Sequence, residues 1–329
     1  MKNTIKNIVV IALGFLGDTL LVEPMCKNIK KSFPNANLIF IANDVFKEIP
    51  LGFESVDKIY GYDKKDKHKG LLGYFKFKKE FTEKEIDYAI ITHPHERSIL
   101  LAKAIGAKNI VSLPIKKSPL NILINKKRTT TREEIRNTYK ADFNNKYLDI
   151  ICESKNFPVS FVCPNSPEKN LFEKFNLPQN YIVLSPTSKD IIKDWDYKNI
   201  KEFIINCTSP VVIVGTARAH EIAQKLKSEN INFSDLTLKT NLLELACIIK
   251  NSQYCVSVDT GTLHLAYAQQ VKTIGIFFNE QMTKEWTPEN LSNLKILFGK
   301  REGNKQNFVC TKEVSAAEVL AEIKKCNTL

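Results

Sequence analysis

The order in which apolar runs and helix-like stretches alternate along this chain admits few folds. In the first half, strand-like runs occupy 7–13 (NIVVIAL), 37–42 (NLIFIA), 56–60 (VDKIY), 87–92 (DYAIIT) and 109–113 (NIVSL). Between them lie 20–33, 44–49, 71–83 and 97–105, which read as helical. Within 20–33, Leu21, Met25, Ile29 and Phe33 recur every four residues and mark one helix face. Pro24 would cost an interior backbone hydrogen bond. The helix is therefore expected to begin just before Pro24 or to kink there, leaving Asp18 in the preceding turn. The second half repeats the pattern, with strands near 181–185, 211–214, 232–237, 254–258 and 272–278. Its helices are expected at 196–207, 218–229, 241–250, 262–270 and 315–325. Strand followed by helix, over and over, implies a parallel sheet covered on both faces. Two such series predict an α/β chain of two Rossmann-like domains, and 329 residues suit two domains of about 150 each. The joint is expected in the stretch 153–180, which holds Pro158, Pro164, Pro167 and Pro178.

Composition narrows the class further. With 43% apolar and 26% charged residues, the chain is ordinary globular material, not disordered, collagen-like or coiled-coil. No run approaches the roughly 18 apolar residues of a membrane span. The apolar stretch after Lys6 runs into Gly14 and Asp18 without a cleavage site, so it reads as a first strand and not a signal peptide. A cytoplasmic protein is the expectation. The eight cysteines form no C-x-x-C and lie mostly in strand-like or helix-like runs, so they read as reduced core residues. No metal-ligand spacing is present.

The net charge of +12 is unevenly placed. Residues 1–178 hold 30 Lys/Arg against 20 Asp/Glu, whereas 179–329 hold 18 against 16. The densest stretch, 116–140, sets Lys116, Lys117, Lys126, Lys127, Arg128, Arg132, Arg136 and Lys140 against Glu133 and Glu134. Such a run is either a solvated face or a positive field for an anionic partner. It carries one aromatic residue, Tyr139, and no nucleic-acid signature, so no nucleic-acid partner is expected.

Three places could hold chemistry. Gly14-Phe15-Leu16-Gly17-Asp18 follows the first strand, at the carboxyl end where open α/β sheets bind ligands. Its G-x-x-G lacks the dinucleotide fingerprint, which disfavours an NAD-linked enzyme. Asp18 there is a helix N-cap or a carboxylate able to take a proton from an incoming hydroxyl. Asp259-Thr260-Gly261-Thr262-Leu263-His264 joins another strand to a helix, and its small residues and free N–H groups suit a phosphate. An Asp beside a pyrophosphate needs hydrogen-bond donors of its own. Ser185-Pro186-Thr187-Ser188 precedes Lys193-Asp194-Trp195, where Lys193 is a single cation able to neutralise a departing diphosphate.

Taken in order, these segments resemble the heptosyltransferase family, glycosyltransferase family 9, of lipopolysaccharide core assembly. NIVVIALGFLGDTLLVEPMCKNIKKSFPNANLIFIA resembles its opening strand, G-D turn, Pro-containing helix and F-P-x-A lead-in. HERSILLAKAIGA resembles its arginine-containing helix, LSPTSKDIIKDW its nucleotide-contacting turn, and VSVDTGTLHLAYAQQVKTIGIF its D-[ST]-G-x-x-H-[LI] signature.

The resemblance implies a GT-B architecture, two Rossmann-like domains facing across a cleft. It places an acceptor domain at 1–165 and a nucleotide-sugar domain at 166–314, with a C-terminal helix, about 315–329, packed back on the first. It implies an inverting, metal-independent transferase without a cofactor, using ADP-L-glycero-D-manno-heptose and an anionic glycolipid acceptor (Kdo-lipid A or heptosylated core). Peripheral contact with the inner membrane's cytoplasmic face follows. By match, Asp18 is the base and Lys193 assists the leaving diphosphate. Thr187, Ser188, Lys193, Glu221, Asp259, Thr260, Gly261 and His264 hold the donor. Gly17, Arg97, Lys126, Arg128 and Arg132 lie on the acceptor side. The run Ala12-Leu13-Gly14-Phe15 is less polar than members commonly carry. A member using another nucleotide sugar or acceptor, or a non-catalytic nucleotide-binding homologue, is the alternative.

Overall fold

The computed structural model describes residues 5–164, 168–303 and 307–327. The chain divides into two compact units, Met1–Val162 and Cys163–Leu329. The boundary expected at 165/166, and Pro167 with it, lies outside the described residues. Residues 153–162 are no free linker. Lys155 N–H donates to Asn28, Ser160 N–H to Glu23 and Val162 N–H to the Gly52 carbonyl.

The first unit runs β1 (Asn7–Ala12), α1 (Leu16–Leu20), α2 (Glu23–Ser32), β2 (Asn37–Asn43), β3 (Lys58–Tyr62), α3 (Gly70–Glu80), β4 (Ile86–Ile91), α4 (Glu96–Ala104), β5 (Asn109–Ser112), β6 (Lys126–Lys127), α5 (Arg132–Asn137) and α6 (Lys140–Asn145). Its six strands pair in parallel in the order β3-β2-β1-β4-β5-β6. Ile8 to Ile11 of β1 and Leu38 to Ile41 of β2 are fully buried, as strands covered on both faces must be. Each such side chain contributes about 1.5–3 kcal/mol on burial.

As expected for 20–33, the helix α2 begins just before Pro24, at Glu23. The chain breaks at Leu21–Val22, and Pro24 sits in the first turn of α2, where a missing N–H costs nothing. Asp18 is consequently not in a turn; it is the third residue of the short helix α1. The expected helix at 44–49 is two 3-10 turns, Asp44–Phe46 and Ile49–Gly52.

The second unit runs α7 (Glu168–Phe175), β7 (Ile182–Ser185), α8 (Tyr197–Asn206), β8 (Val211–Ile213), α9 (Ala217–Ser228), β9 (Ser234–Asp235), α10 (Leu242–Lys250), β10 (Tyr254–Val258), α11 (Gly261–Ala268), β11 (Thr273–Phe277), α12 (Glu280–Trp286), β12 (Leu294–Phe298), β13 (Lys300–Gly303), β14 (Phe308–Lys312) and α13 (Ala316–Asn327). Its sheet, also parallel, has the order β12-β11-β10-β7-β8-β9. The strand expected at 232–237 is cut to two residues because the Asp235 carboxylate takes the Thr237 N–H and hydroxyl, curling the chain away. α13, the helix that the resemblance packs back on the first domain, contributes to this unit's core. Val319 and Ile323 of α13 are buried with Ile200 and Phe203 of α8, and the Trp195 indole donates to the Val314 carbonyl at 2.7 Å. That apolar stripe is therefore already covered within the second unit. Cys26, Cys247 and Cys255 are buried, as expected of core cysteines, whereas Cys152, Cys163 and Cys207 are half-buried and Cys310 is exposed on β14, a strand with little cover; the side chain of Cys326 lies outside the described residues.

Candidate functional site

In each sheet the chain winds away from its first strand in both directions. The carboxyl ends of the two strands where it reverses, β1 and β4 in the first unit, β7 and β10 in the second, flank a crevice suited to ligands.

At the first switch point, β1 delivers Gly14 to Asp18 and β4 delivers Thr92 and His93. Thr92 N–H bonds the Ile11 carbonyl at 3.2 Å, extending the ladder and setting His93 beside the turn. The Asp18 carboxylate, 11% exposed, accepts the Phe15 N–H on Oδ2 at 3.0 Å. Its other oxygen lies 3.9 Å from His93 Nδ1. Asp18 is thus neither a conventional N-cap nor a free carboxylate. It reaches back to the residue before its own helix, with one oxygen left for a proton. Gly14 is obligatory in this geometry: a Cβ there would lie 2.6 Å from the Asp18 Cβ. The Asn43 amide at the end of β2 donates to the Gly14 carbonyl, and Gly17 is buried inside α1. Burial pushes the His93 imidazole below its ordinary value of 6.5; Asp18 opposes this, while Lys140, His95 and Lys64 reinforce it. The first switch point therefore sets a carboxylate and an imidazole in a field from lysines on two further segments.

Sequence reasoning missed His93, Lys64 and Lys140 as a group with Asp18. The available signal was that 87–92 ends level with 7–13 in a parallel sheet. Among the described residues, none of Arg97, Lys126, Arg128 and Arg132 forms an ion pair with Asp18. Arg97 is exposed on α4, where its charge acts on Tyr62 and Tyr74. Lys126 belongs to the edge strand β6, and Arg132 is exposed on α5. Arg128 donates to Glu134 at 2.7 Å and lies over the Phe143 ring, so its charge is compensated locally. Bonds from Thr130, Lys146 and Arg128 hold the Glu134 carboxyl down to about 2.

At the second switch point, Pro186-Thr187-Ser188 follows β7 and Asp259-Thr260 follows β10. A 3-10 turn, Ile191–Lys193, brings the Lys193 ammonium to 2.5 Å from the Asp259 carboxylate, which is 7% exposed. The pair answers the question the sequence raised about that aspartate: its donor is Lys193. Beside it α11 begins at Gly261, capped by Thr260 without a side-chain bond; the Leu263 N–H takes the Thr260 carbonyl at 3.0 Å, and the Thr260 hydroxyl leaves the helix's first amide groups to other acceptors. Thr187 is buried, and Gly215, at φ 143°, lets the start of α9 come close, since a Cβ there would lie 2.6 Å from Ala219.

The turn carrying Lys193 is held by groups with no sequence signature. Asp194 accepts the Ser188 N–H at 2.7 Å and is clasped by Arg218 through Nε at 2.7 Å and Nη2 at 3.0 Å. Arg301, seated 3.7 Å over Phe278 and bound to Glu313, donates to the carbonyls of Ile192 and Asp194. Trp195 is a packing residue, buried against Phe203. His264 is buried, with Nδ1 2.9 Å from the Tyr267 hydroxyl and its ring beside Trp286. Glu221 is exposed on α9, where its charge acts on Arg218. Thr187, Ser188, Lys193, Asp259, Thr260 and Gly261 gather at the switch point, and Glu221 neighbours Arg218, which itself donates to the Ser188 carbonyl.

The chain is similar to several known proteins. Lipooligosaccharide heptosyltransferase 2 of Campylobacter jejuni is 27% identical over 294 residues, covering 84% of this chain and 82% of that protein. A family 9 glycosyl transferase from Veillonella parvula superposes with a TM-score of 0.83 at 18% identity, covering 99% of this chain and 98% of that one. The Escherichia coli heptosyltransferase WaaC, solved with ADP-2-deoxy-2-fluoro heptose, gives 0.71 at 16% identity over 97% and 99%. The model of glycosyltransferase family 9 (heptosyltransferase) matches residues 74–317, which takes in β4, the second unit's whole sheet and both halves of its switch point. The chain is a glycosyltransferase and belongs to glycosyltransferase family 9, the heptosyltransferase family.

Proposed function

We propose that this enzyme is an inverting transferase that moves a heptose from ADP-L-glycero-D-manno-heptose to an anionic inner-core acceptor, Kdo or heptose, of lipopolysaccharide. The observation that carries the reading is the Lys193–Asp259 pair beside the amino terminus of α11, at the switch point of a family 9 fold. A cation and oriented amide groups together suit a diphosphate. The names of the relatives support the sugar: one is a lipooligosaccharide heptosyltransferase, and another was solved with an ADP-heptose analogue.

In the proposed step the acceptor hydroxyl oxygen bonds to the anomeric carbon while the bond from that carbon to the β-phosphate oxygen breaks. ADP departs from the opposite face, and the hydroxyl proton passes to the free oxygen of Asp18. Lys193 swings its charge from Asp259 toward the diphosphate, and the α11 amides share the load. No metal and no cofactor enters this scheme. Thr187, Ser188, Thr260 and Gly261 line the diphosphate, and His264 and Glu221 meet phosphate and ribose. The first unit takes the acceptor, with Lys64 and Lys140 adding to the field that Arg97, Lys126 and Arg132 supply. The residues of that unit, 28 Lys/Arg against 18 Asp/Glu, suit an acidic glycolipid at the cytoplasmic face of the inner membrane.

Replacing Asp18 with alanine tests the base. Transfer should fall about 10²–10⁴-fold with ADP affinity retained, and turnover kept within about tenfold removes the role. Mass spectrometry of the core from a strain lacking the gene tests the acceptor. A core truncated at a heptose supports it, and an unchanged core sinks it.

A further inference from the structure

The helix α3 is oriented against expectation for a surface helix. Its inward side is formed by Gly73 and Phe77, both buried, with half-buried Tyr74. At 3.6 residues per turn, Leu71, Leu72 and Phe75 fall on the opposite side. They are 75%, 73% and 66% exposed. Gly73 explains why the helix cannot turn over, since a side chain at this position would meet the His68 backbone. Lys76, Lys78 and Lys79 border the three apolar side chains, and all are exposed. α3 packs on α4, and α4 on the 3-10 turn Pro119–Leu123, where Ile122 is 84% exposed. The exposed Lys116 and Lys117 immediately precede that turn.

Segments 63–80 and 114–128 together hold twelve Lys/Arg against three Asp/Glu. Of the three acids, Glu80 is paired with Lys67 at 2.9 Å and also meets His68. The Asp63 carboxylate is taken up by the backbone N–H groups of Lys65, Asp66 and Lys67. Exposed apolar side chains ringed by a surplus of cations are the pattern of a helix lying in a membrane interface, its apolar face in the acyl boundary and its lysines at the headgroups. A protein partner would leave so dense a positive rim needing an equally acidic match, whereas an anionic leaflet supplies one everywhere. The position also matters. α3 starts from the loop that follows the carboxyl end of β3. Lys64 of that loop donates to the Leu13 carbonyl and acts on His93. The apolar face thus begins on the same edge of the sheet as Asp18.

We propose that the outer face of α3, with Leu71, Leu72 and Phe75 as its inserting side chains and Ile122 beside it, docks the enzyme on an anionic lipid bilayer. The proposal rests on the proposed function only for what that bilayer carries, a lipid-borne acceptor presented next to Asp18.

Co-sedimentation with phosphatidylcholine vesicles, with and without phosphatidylglycerol, tests it in the absence of any sugar. The full chain should pellet with the anionic vesicles, and less so as salt rises. A variant carrying Leu71→Ser, Leu72→Ser and Phe75→Ser should bind at least about tenfold more weakly. Lys76→Glu with Lys79→Glu should lose the preference for phosphatidylglycerol while leaving the core-facing side of α3 untouched, and circular dichroism checks that both variants fold. Absence of vesicle binding by the full chain overturns the proposal, as does unchanged binding by the serine variant. A dimer in size-exclusion chromatography that the serine variant converts to monomer also overturns it, because a second copy then covers the face. Vesicle binding without heptose transfer would sink the function and leave the docking surface standing; the reverse result would do the opposite.

Discussion

The two units repeat one topology and place opposite kinds of group at its switch point. In the first, a carboxylate and an imidazole stand 3.9 Å apart, each with further bonding capacity, and Asp18 is held by one backbone amide. In the second, ammonium and carboxylate are in contact at 2.5 Å, on a turn tied down by Arg218, Asp194 and Arg301. A loosely engaged pair of titratable groups can exchange a proton. A compensated pair on a braced turn presents charge at a defined place. The shared sheet therefore supplies the location, and the few residues after each strand decide the chemistry.

The largest expected effect separates the two directly. Asp18→Asn should remove transfer by two or more orders of magnitude with no loss of ADP binding by calorimetry, a size typical of a lost general base. If ADP binding falls as well, the two units are not chemically separate. Next come Lys193→Ala and Asp259→Ala. Each leaves a partner of the pair exposed to burial without compensation, so each should weaken ADP binding and lower the thermal stability of the protein. Double-mutant coupling should be about 1–3 kcal/mol. Strict additivity would mean that the contact does not brace the site.

Arg218→Ala should have a smaller effect, since Asp194 keeps the Ser188 N–H and Arg301 still grips the turn. A severalfold rise in donor KM with kcat nearly kept is the expected result in steady-state kinetics. The smallest effect is a shape. Burial lowers the His93 pKa below 6.5, so its neutral form is the native one. The stability tied to it is complete above 6.5 and lost as pH falls through the depressed value. A protonated His93 would also hold the Asp18 carboxylate and blunt it as a base. The kcat/KM profile should therefore decline on the acid side, and His93→Gln should shift or flatten that limb by a few-fold at most. An identical profile in the variant would show that the imidazole is a spectator.

Much of the fold was legible because strands buried on both faces must be continuous apolar runs. NIVVIA, NLIFIAN and YCVSV announce themselves for that reason. β12, LKILF, escaped because it is an edge strand with partly exposed side chains, where polar and apolar residues mix. The antiparallel pair β13 and β14 escaped for the same cause, its residues being mostly exposed. Asp18, Lys193 and Asp259 were legible from motif and position. Their partnerships were not: Lys193 and Asp259 lie 66 residues apart, and the aspartate's donor could not be named from the chain. Arg218 and Arg301 were invisible, because an arginine that braces a turn looks in sequence like any surface arginine.

Hydrophobic periodicity, small residues at the strand-to-helix turns and the charge imbalance are local properties. They were enough to determine a two-unit parallel α/β chain and to mark its reactive turns. Which turns became neighbours was decided by strand order alone. A parallel crossover returns the chain to the same edge of the sheet, so residues far apart in sequence meet there only once β1 lies beside β4, and β7 beside β10. Tertiary structure likewise turned α3 outward, since packing at Gly73 and Phe77 left Leu71, Leu72 and Phe75 no core to enter.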